Sequence, residues 1–466
     1  MGIRLRNAFA LLCLLTAFFA CDPEDETITA DPNIKLEFST DTISFDTLLT
    51  GYRSITQRVK IYNRDKNAVR ISSVFLSGED ESPYRMTLNG ETTPIREDLV
   101  LNGSDSLLIL VDVEVPEDSR PEIFKQEGNI TFLTNGNSQS VKLLTWAQNA
   151  VTIGKQSITE DLLFSDPRPY WLKDTITVEE GTTLILGEGT KILADPGASI
   201  VIRGKLKAQG LPDNRILIRN IRQDGLYKHG PGQWEGISLT ANAQASLSFT
   251  DILNAKTAIS ADGREGTARL EMEGSKLENC SESNLIAINT KIQAKNCLFD
   301  NAGDRGIVLL GSEAEFTHCT IANYGFQLVP RFETLWISDK AQVGEKEESY
   351  SKKTNARFRN CIVTGNSQEE LGITLKLPES TVSFSRSLLK TQSLDKWPDN
   401  RRIAGEYSKI MFQNPAEFDY RLDSLEVSPA KDYGLPANTE RDLEDKTRDE
   451  KPDAGAYEQV IKEKKS

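Results

Sequence analysis

The stretch from 175 to 249 constrains the fold most. It breaks into short β-branched and aliphatic runs at 175–178 (TITV), 183–186 (TLIL), 191–194 (KILA), 199–202 (SIVI) and 216–218 (ILI). Gly, Asp or Pro separates nearly all of them. No run is long enough for a helix and none carries a 3.6-residue period. This is the pattern of many short strands at even spacing, so the chain is expected to be all-β.

At 466 residues there is room for two or three domains. Hydrophobic residues make up 38% and mean hydropathy is -0.41, which suits a soluble protein with packed cores. The only histidines are His229 and His318, which rules out a multi-histidine metal site. The net charge of -14 opposes encounter with nucleic acid and other polyanions.

Residues 1–6 carry two arginines, and 8–20 are apolar apart from Thr16. A basic start before an apolar run of ~7–15 residues is a secretory signal, too short to span a membrane. The run ends Phe18-Phe19-Ala20-Cys21. This resembles the lipobox of bacterial lipoproteins, with Phe18 where that pattern more often has leucine. The resemblance implies a signal peptide at 1–20 and lipid on the Cys21 sulfur. The acidic run 22–26 (DPEDE) resembles the surface-export signal of Bacteroidetes-type lipoproteins. Residues 21–33 then form an acidic lipidated tether that holds the protein in the outer membrane, facing outward.

From 34 to 150 the strands read 57–62 (QRVKIY), 69–76 (VRISSVFL), 107–115 (LLILVDVEV), 129–133 (NITFL) and 140–145 (SVKLLT), broken at 63–65, 88–90, 102–104 and 134–137. About seven strands in this length suit an immunoglobulin-like β-sandwich. The span has no cysteine, so no intersheet disulfide is available. Trp146, beside Leu143 and Leu144, reads as core rather than as a sugar-stacking platform.

From 154 to 460 the short strands suit a right-handed parallel β-helix. Each coil buries its inner face only by stacking on the next. A repeat is visible at 277–280 (LENC), 294–297 (AKNC), 316–319 (FTHC) and 358–361 (FRNC), with cysteine steps of 17, 22 and 42 residues. The last step needs an insertion or a coil without cysteine. Two polar excursions, 338–356 and 392–409, are expected to leave the coils, and loops on a rigid scaffold are where binding concentrates. Tyr350, Trp397, Arg401 and Arg402 in those loops are the candidate binding residues. The two rings could stack on sugars or serve loop packing. Export implies an oxidising compartment, yet stacked rungs lie ~4.8 Å apart while a disulfide needs Cβ atoms ~3.8 Å apart. Cys280, Cys297, Cys319 and Cys361 are therefore expected as free, buried thiols.

The residues also carry a family resemblance. Segments 44–47 (SFDT), 59–63 (VKIYN), 105–107 (DSL) and 132–137 (FLTNGN) resemble the N-terminal sandwich of Bacteroidetes-type surface lipoproteins that precedes a pectate-lyase-like β-helix. Segment 232–237 (GQWEGI) is similar to the W-x-G-I coil of that β-helix, and 316–324 and 360–365 to its Asn/Cys rungs. Segments 428–430 (SPA) and 452–458 (PDAGAYE) resemble its closing coil. The likeness spans almost the whole chain and implies architecture, not chemistry.

Enzymes on such scaffolds use calcium-holding carboxylates with a basic residue, or two carboxylates ~6.5–9.5 Å apart. The polygalacturonase-like motifs Asn-Thr-Asp, Asp-Asp, Gly-His-Gly and Arg-Ile-Lys do not occur. His229 is a near miss and His318 reads as a rung or turn residue. Asp251, Glu278, Glu282, Asp300, Asp304, Glu369 and Glu370 show no ladder by inspection. G-x-S-x-G, the P-loop and G-x-G-x-x-G are absent. The chain reads as a non-catalytic surface scaffold for glycans or partner proteins, with no metal and no cofactor. The alternative is a polysaccharide lyase or glycoside hydrolase. Cys21→Ser should move the protein out of the membrane fraction in detergent partitioning; continued membrane association would refute the lipobox reading.

Overall fold

The computed structural model describes residues 27–461 apart from 119, 121, 325–331, 344–347 and 405–411. The segment expected to be a signal peptide, and Cys21, lie outside the described residues. The chain divides into two units, Met1–Asn149 and Ala150–Ser466.

In the first unit, strand alternation sets two layers. Phe124–Thr134 pairs antiparallel with Asn137–Gln148. Asn135 and Gly136 join them at φ of 51° and 78°, the two-residue turn that Asn-Gly favours. These strands belong to a six-stranded sheet, packed on a five-stranded one. Val59, Ile61, Ile109 and Val111 of the smaller sheet meet Ile71, Ile130, Phe132 and Val141 of the larger, so the unit is a β-sandwich. Trp146 does not join this core: it is 43% exposed, while Thr145 and Ala147 are fully buried. Successive strand residues face opposite ways, so burying those two turns Trp146 out.

The second unit is a parallel β-helix. Its strands stack into three lateral sheets of eleven, nine and nine strands. The first sheet runs from Val151–Ile153 to Arg401–Arg402, the second from Gln156–Ile158 to Leu371–Thr374, and the third from Leu162–Phe164 to Thr381–Ser385. The runs legible in the sequence are the strands Ile176–Val178, Thr183–Leu186, Lys191–Ala194, Ser199–Ile202 and Ile216–Asn220. Each turns only two or three side chains inward, such as Leu184 with Leu186 or Ile200 with Ile202, and these stack into one core from Ile153 to Leu389. In the GQWEGI segment Trp234 is 1% exposed and donates from Nε1 to Leu253 O at 2.9 Å. Gly236 has φ 110°, and a Cβ there would lie 1.8 Å from Thr257 O, so no other residue fits. The late coils carry an inner ring stack, Phe316 on Phe358 at 4.9 Å and Phe358 on Phe384 at 4.8 Å.

The corner from the third sheet to the first is built one way in six coils. A residue with left-handed φ between 44° and 56° comes first: Phe249, Gly274, Asn296, His318, Asn360 or Arg386. The next residue bonds back to the carbonyl two positions earlier. Thr250 and Ser275 do so at 3.0 Å and Ser387 at 3.1 Å. Cys297, Cys319 and Cys361 do so through Sγ at 3.2, 3.5 and 3.3 Å. The position takes any small side chain with a donor hydrogen.

Cys280 stands outside this column. The register pairs Glu273 with Lys295, which sets Gly274-Ser275 opposite Asn296-Cys297. Cys280 instead pairs with Ala302 at the corner after the first sheet. The 17-residue step thus compared two different corners, and the 42-residue step is one coil with a hairpin inserted.

Beyond Arg402 the described chain adds no coil. Residues 412–461 form a strap along the outside of the first sheet. Ala430, Tyr433 and Ala454 pack on Ile362 and Leu388, and Tyr420, Leu443, Ala456 and Tyr457 pack on Leu298 and Ala322. The segments expected as a closing coil are part of this strap, because the first sheet turns apolar residues outward that need covering. The corner side chains fasten it. Asn296 Nδ2 donates to Arg441 O at 2.7 Å, and Asn360 Nδ2 to Leu435 O at 2.8 Å. Asn360 Nδ2 also lies 2.8 Å from His318 Nε2, which accepts, leaving Nδ1–H to donate to Asp453 O at 3.1 Å. Burial and nearby Arg448 hold the His318 pKa down to about 2, so the ring is neutral and structural.

All four rung cysteines are free and buried, and burial pushes the Cys280 thiol up to about 12. Thiol titration of the denatured, unreduced mature chain should count four per molecule; two or fewer would show that they pair.

Candidate functional site

Alternation turns every second residue of the third sheet outward, and in-register stacking lines these residues up in columns. One column reads Gln244, Arg269, Lys291, Glu313, Asn355, Thr381, and its neighbour Ser246, Glu271, Gln293, Glu315, Arg357, Ser383. Their middle portion lines a recess of about 530 Å³. A second recess of about 260 Å³ shares Gln293 and Glu315 with it, adds Lys295 and Arg359, and is walled by Asn438 and Thr439 of the strap. Together they form one polar trough. Lys291 pairs with Glu313 at 3.4 Å and Arg357 with Glu315 at 3.0 Å, with 49–75% of each side chain exposed. Such pairs are worth ~0.2–1 kcal/mol, so a polar ligand can replace them at little cost.

Sequence reading missed this trough. The alternation of Ala268–Glu273 (ARLEME), Thr290–Lys295 (TKIQAK) and Asn355–Arg359 (NARFR) is legible. Only the register reveals that these strands lie side by side.

The residues singled out from the loops are not gathered together. Tyr350 lies on the inserted hairpin, Lys340–Val343 with Glu348–Ser351. It lines a recess of about 600 Å³ with Asp262 and Arg264, at the corner between the second and third sheets. Trp397 is half-buried: it meets Phe384 edge-on at 5.0 Å and ends the inner ring stack, which is the packing role. Arg401 and Arg402 are not in a projecting loop. They pair in parallel with Leu388–Leu389 as the last rung of the first sheet. Arg401 stacks on Tyr433 at 3.9 Å, and Arg402 donates to Gln392 O at 2.8 Å. Residues 405–409 of that excursion lie outside the described residues.

A second cluster lies under the strap. Glu278 and Asp300 are register partners in adjacent coils of the first sheet, with Lys276 two residues before Glu278 on the same outward face. Arg215 grips Asp251 in the coil before, with Nε 2.9 Å from Oδ2. Asp300 is fully buried, and neither of its carboxylate oxygens has a hydrogen-bond partner among the described residues. Tyr420, whose hydroxyl donates to Asn301 Oδ1 at 2.7 Å, and buried Tyr457 belong to the strap above. Burial, followed by the neighbouring Glu278, raises the Asp300 pKa well above the usual carboxylate range. Burial also raises Glu278, with Lys276 opposing. The two carboxyl groups, side by side and out of water, each favour the protonated form more than a free carboxyl does. No ladder of these acids is visible in sequence, because Glu278 and Asp300 lie 22 residues apart and only the register pairs them.

No protein-family model matches the chain, and no curated protein matches it. Among solved structures, one similar chain is a family 123 glycoside hydrolase from Clostridium perfringens, described for glycolipid glycan hydrolysis. It shows 10% identity over 26% of this chain and 30% of that one, with a TM-score of 0.18. Another is the PapD-like domain 7 of human CEP192, with 12% identity over 28% of this chain and 94% of that one, TM-score 0.17. A third is the E. coli chaperone DraB, with 12% identity, 25% and 55% coverage, and TM-score 0.17. This chain spans about a third of the hydrolase. At these scores no function is carried across.

Because the folded pKa of Asp300 is raised, the folded state binds more protons than the unfolded chain. Its contribution is fully present below the unfolded carboxylate value of about 4 and is lost as pH rises through the folded value. Asp300→Asn should therefore raise the melting temperature relative to wild type by clearly more at pH 8 than at pH 5, measured by scanning calorimetry. An equal difference at both pH values would refute the buried, proton-holding pair.

Proposed function

We propose that this chain is an exported, lipid-anchored, non-catalytic binding scaffold whose third-sheet trough holds an extended glycan. The trough is the observation that supports this reading. It offers guanidinium, ammonium, carboxylate and amide groups in columns, repeating every ~4.8 Å along the stack. A hydroxyl-rich chain lying along the coils would find a donor or acceptor at each rung. Cationic and anionic groups are mixed within the two columns, so the face is matched to a polar ligand rather than to a strongly charged one.

The lyase or hydrolase reading needs carboxylates open to substrate. Glu278 and Asp300 are sealed beneath the strap, and the open trough acids Glu313 and Glu315 are held in ion pairs with Lys291 and Arg357. Binding without bond cleavage is therefore the better supported reading.

The test is a glycan-array screen with product analysis. Arg357→Glu combined with Gln293→Ala should weaken binding to the best glycan by about tenfold or more, the scale of one lost charge-assisted hydrogen bond. Incubation with uronate-containing and neutral polysaccharides, with and without calcium, should yield neither unsaturated products nor new reducing ends. Either product would overturn the non-catalytic reading, and unchanged binding by the double variant would overturn the trough.

A further inference from the structure

The outward face of the second sheet has a different character. Its central column reads Ser238, Ser260, Ile286, Val308, Trp336, Gly372 in successive coils. Trp336 is partly exposed between buried Leu335 and Ile337. The residue opposite it on the next coil is glycine, and a Cβ on Gly372 would lie 2.9 Å from Trp336 Cδ1 and 3.0 Å from Glu333 Cδ. The Trp336 indole and the Glu333 carboxyl group therefore both approach Gly372 where a side chain would otherwise stand. Arg305 sits 5.6 Å from the Trp336 ring centroid and 4.3 Å from that of Phe332, a ring that is 50% exposed. Arg305 is bracketed by Asp304 at 3.6 Å and Glu333 at 3.8 Å. These distances are loose for ion pairs. Arg305 Nε and Asp304 Oδ1 are buried and make no hydrogen bond among the described residues, so the outer guanidinium nitrogens and the Glu333 carboxylate are the groups that face a ligand.

We propose that Trp336, with Asp304, Arg305 and Glu333 around it, is a binding subsite for a neutral pyranose unit. The partly exposed indole, with the Arg305 guanidinium over part of its ring, presents apolar surface to the axial C–H groups of a sugar ring. Acceptor and donor groups at its edge match the ring hydroxyls, the usual make-up of a small-molecule site with an apolar floor and few polar groups. The two carboxylates outnumber the one guanidinium, so a uronate is repelled and a neutral sugar is not. The subsite rests on the reading of the chain as a glycan binder, but it lies on a different sheet from the trough and depends on none of its residues.

The test is affinity electrophoresis of the full mature chain in native gels. The gels contain galactomannan, mixed-linkage β-glucan, arabinoxylan, dextran or polygalacturonate. At least one neutral polysaccharide should retard the wild type, and polygalacturonate should do so less. Trp336→Ala should weaken that retardation about tenfold with an unchanged melting temperature, and Trp336→Tyr should restore most of it. Should Trp336→Ala fail to fold, Gly372→Ala gives the answer, because its methyl group displaces the indole and should weaken retardation likewise. The Arg357→Glu, Gln293→Ala variant is run in parallel. Loss of retardation in that variant but not in the Trp336 or Gly372 variants would overturn the subsite and leave the trough standing. Retardation by polygalacturonate alone, or by no neutral polysaccharide, would also overturn it.

Discussion

Backbone pairing between identical positions of successive coils is the constraint on which the second unit depends. Each coil strand is two to six residues long and turns at most three side chains inward. That surface becomes a core only when the coil above and the coil below are in register. Register in turn rests on the corners. Asn296, His318 and Asn360 hold left-handed backbone, and the cysteines after them return a thiol hydrogen to the carbonyl two positions back. A one-residue slip would turn the inner column outward, and the corner bonds would be lost with it.

The corner side chains do a second task. Having spent their backbone on the turn, Asn296, His318 and Asn360 project outward and bind the strap through main-chain carbonyls. The strap covers Leu298, Ile362 and Leu388, apolar residues that the first sheet unavoidably turns out. The same cover desolvates Glu278 and Asp300, and so raises their proton affinity. Stability, closure and titration are linked there because one segment seals one face.

The other two sheets stay open along much of their length and divide the polar work. The third presents columns of mixed charged, amide and hydroxyl groups beside the strap. The second presents an apolar stripe ending in Trp336. Both faces are rigid because their backbones are paired on either side, so a ligand would meet groups already in place and little order would be lost on binding.

What the sequence determined by itself was local. Gly and Asp spacing, β-branched runs and the Asn-Gly turn at 135–136 set strand lengths, the sandwich and the coils. The buried cysteines followed from rung spacing alone. What the tertiary structure decided was which residues are neighbours. Cys280 and Cys297 look equivalent in sequence but sit at different corners, because an Asn-Cys pair can close either turn. Trp397 packs inward although its sequence neighbours are polar, and Trp336 lies outward although it sits between Leu335 and Ile337, because one follows the last ring of the inner stack and the other faces a glycine one coil away. Glu278 and Asp300 became partners, and the third-sheet charges became a trough, only through a register that couples residues about one coil apart. That coupling is carried by backbone hydrogen bonds and core packing, which no local residue pattern records.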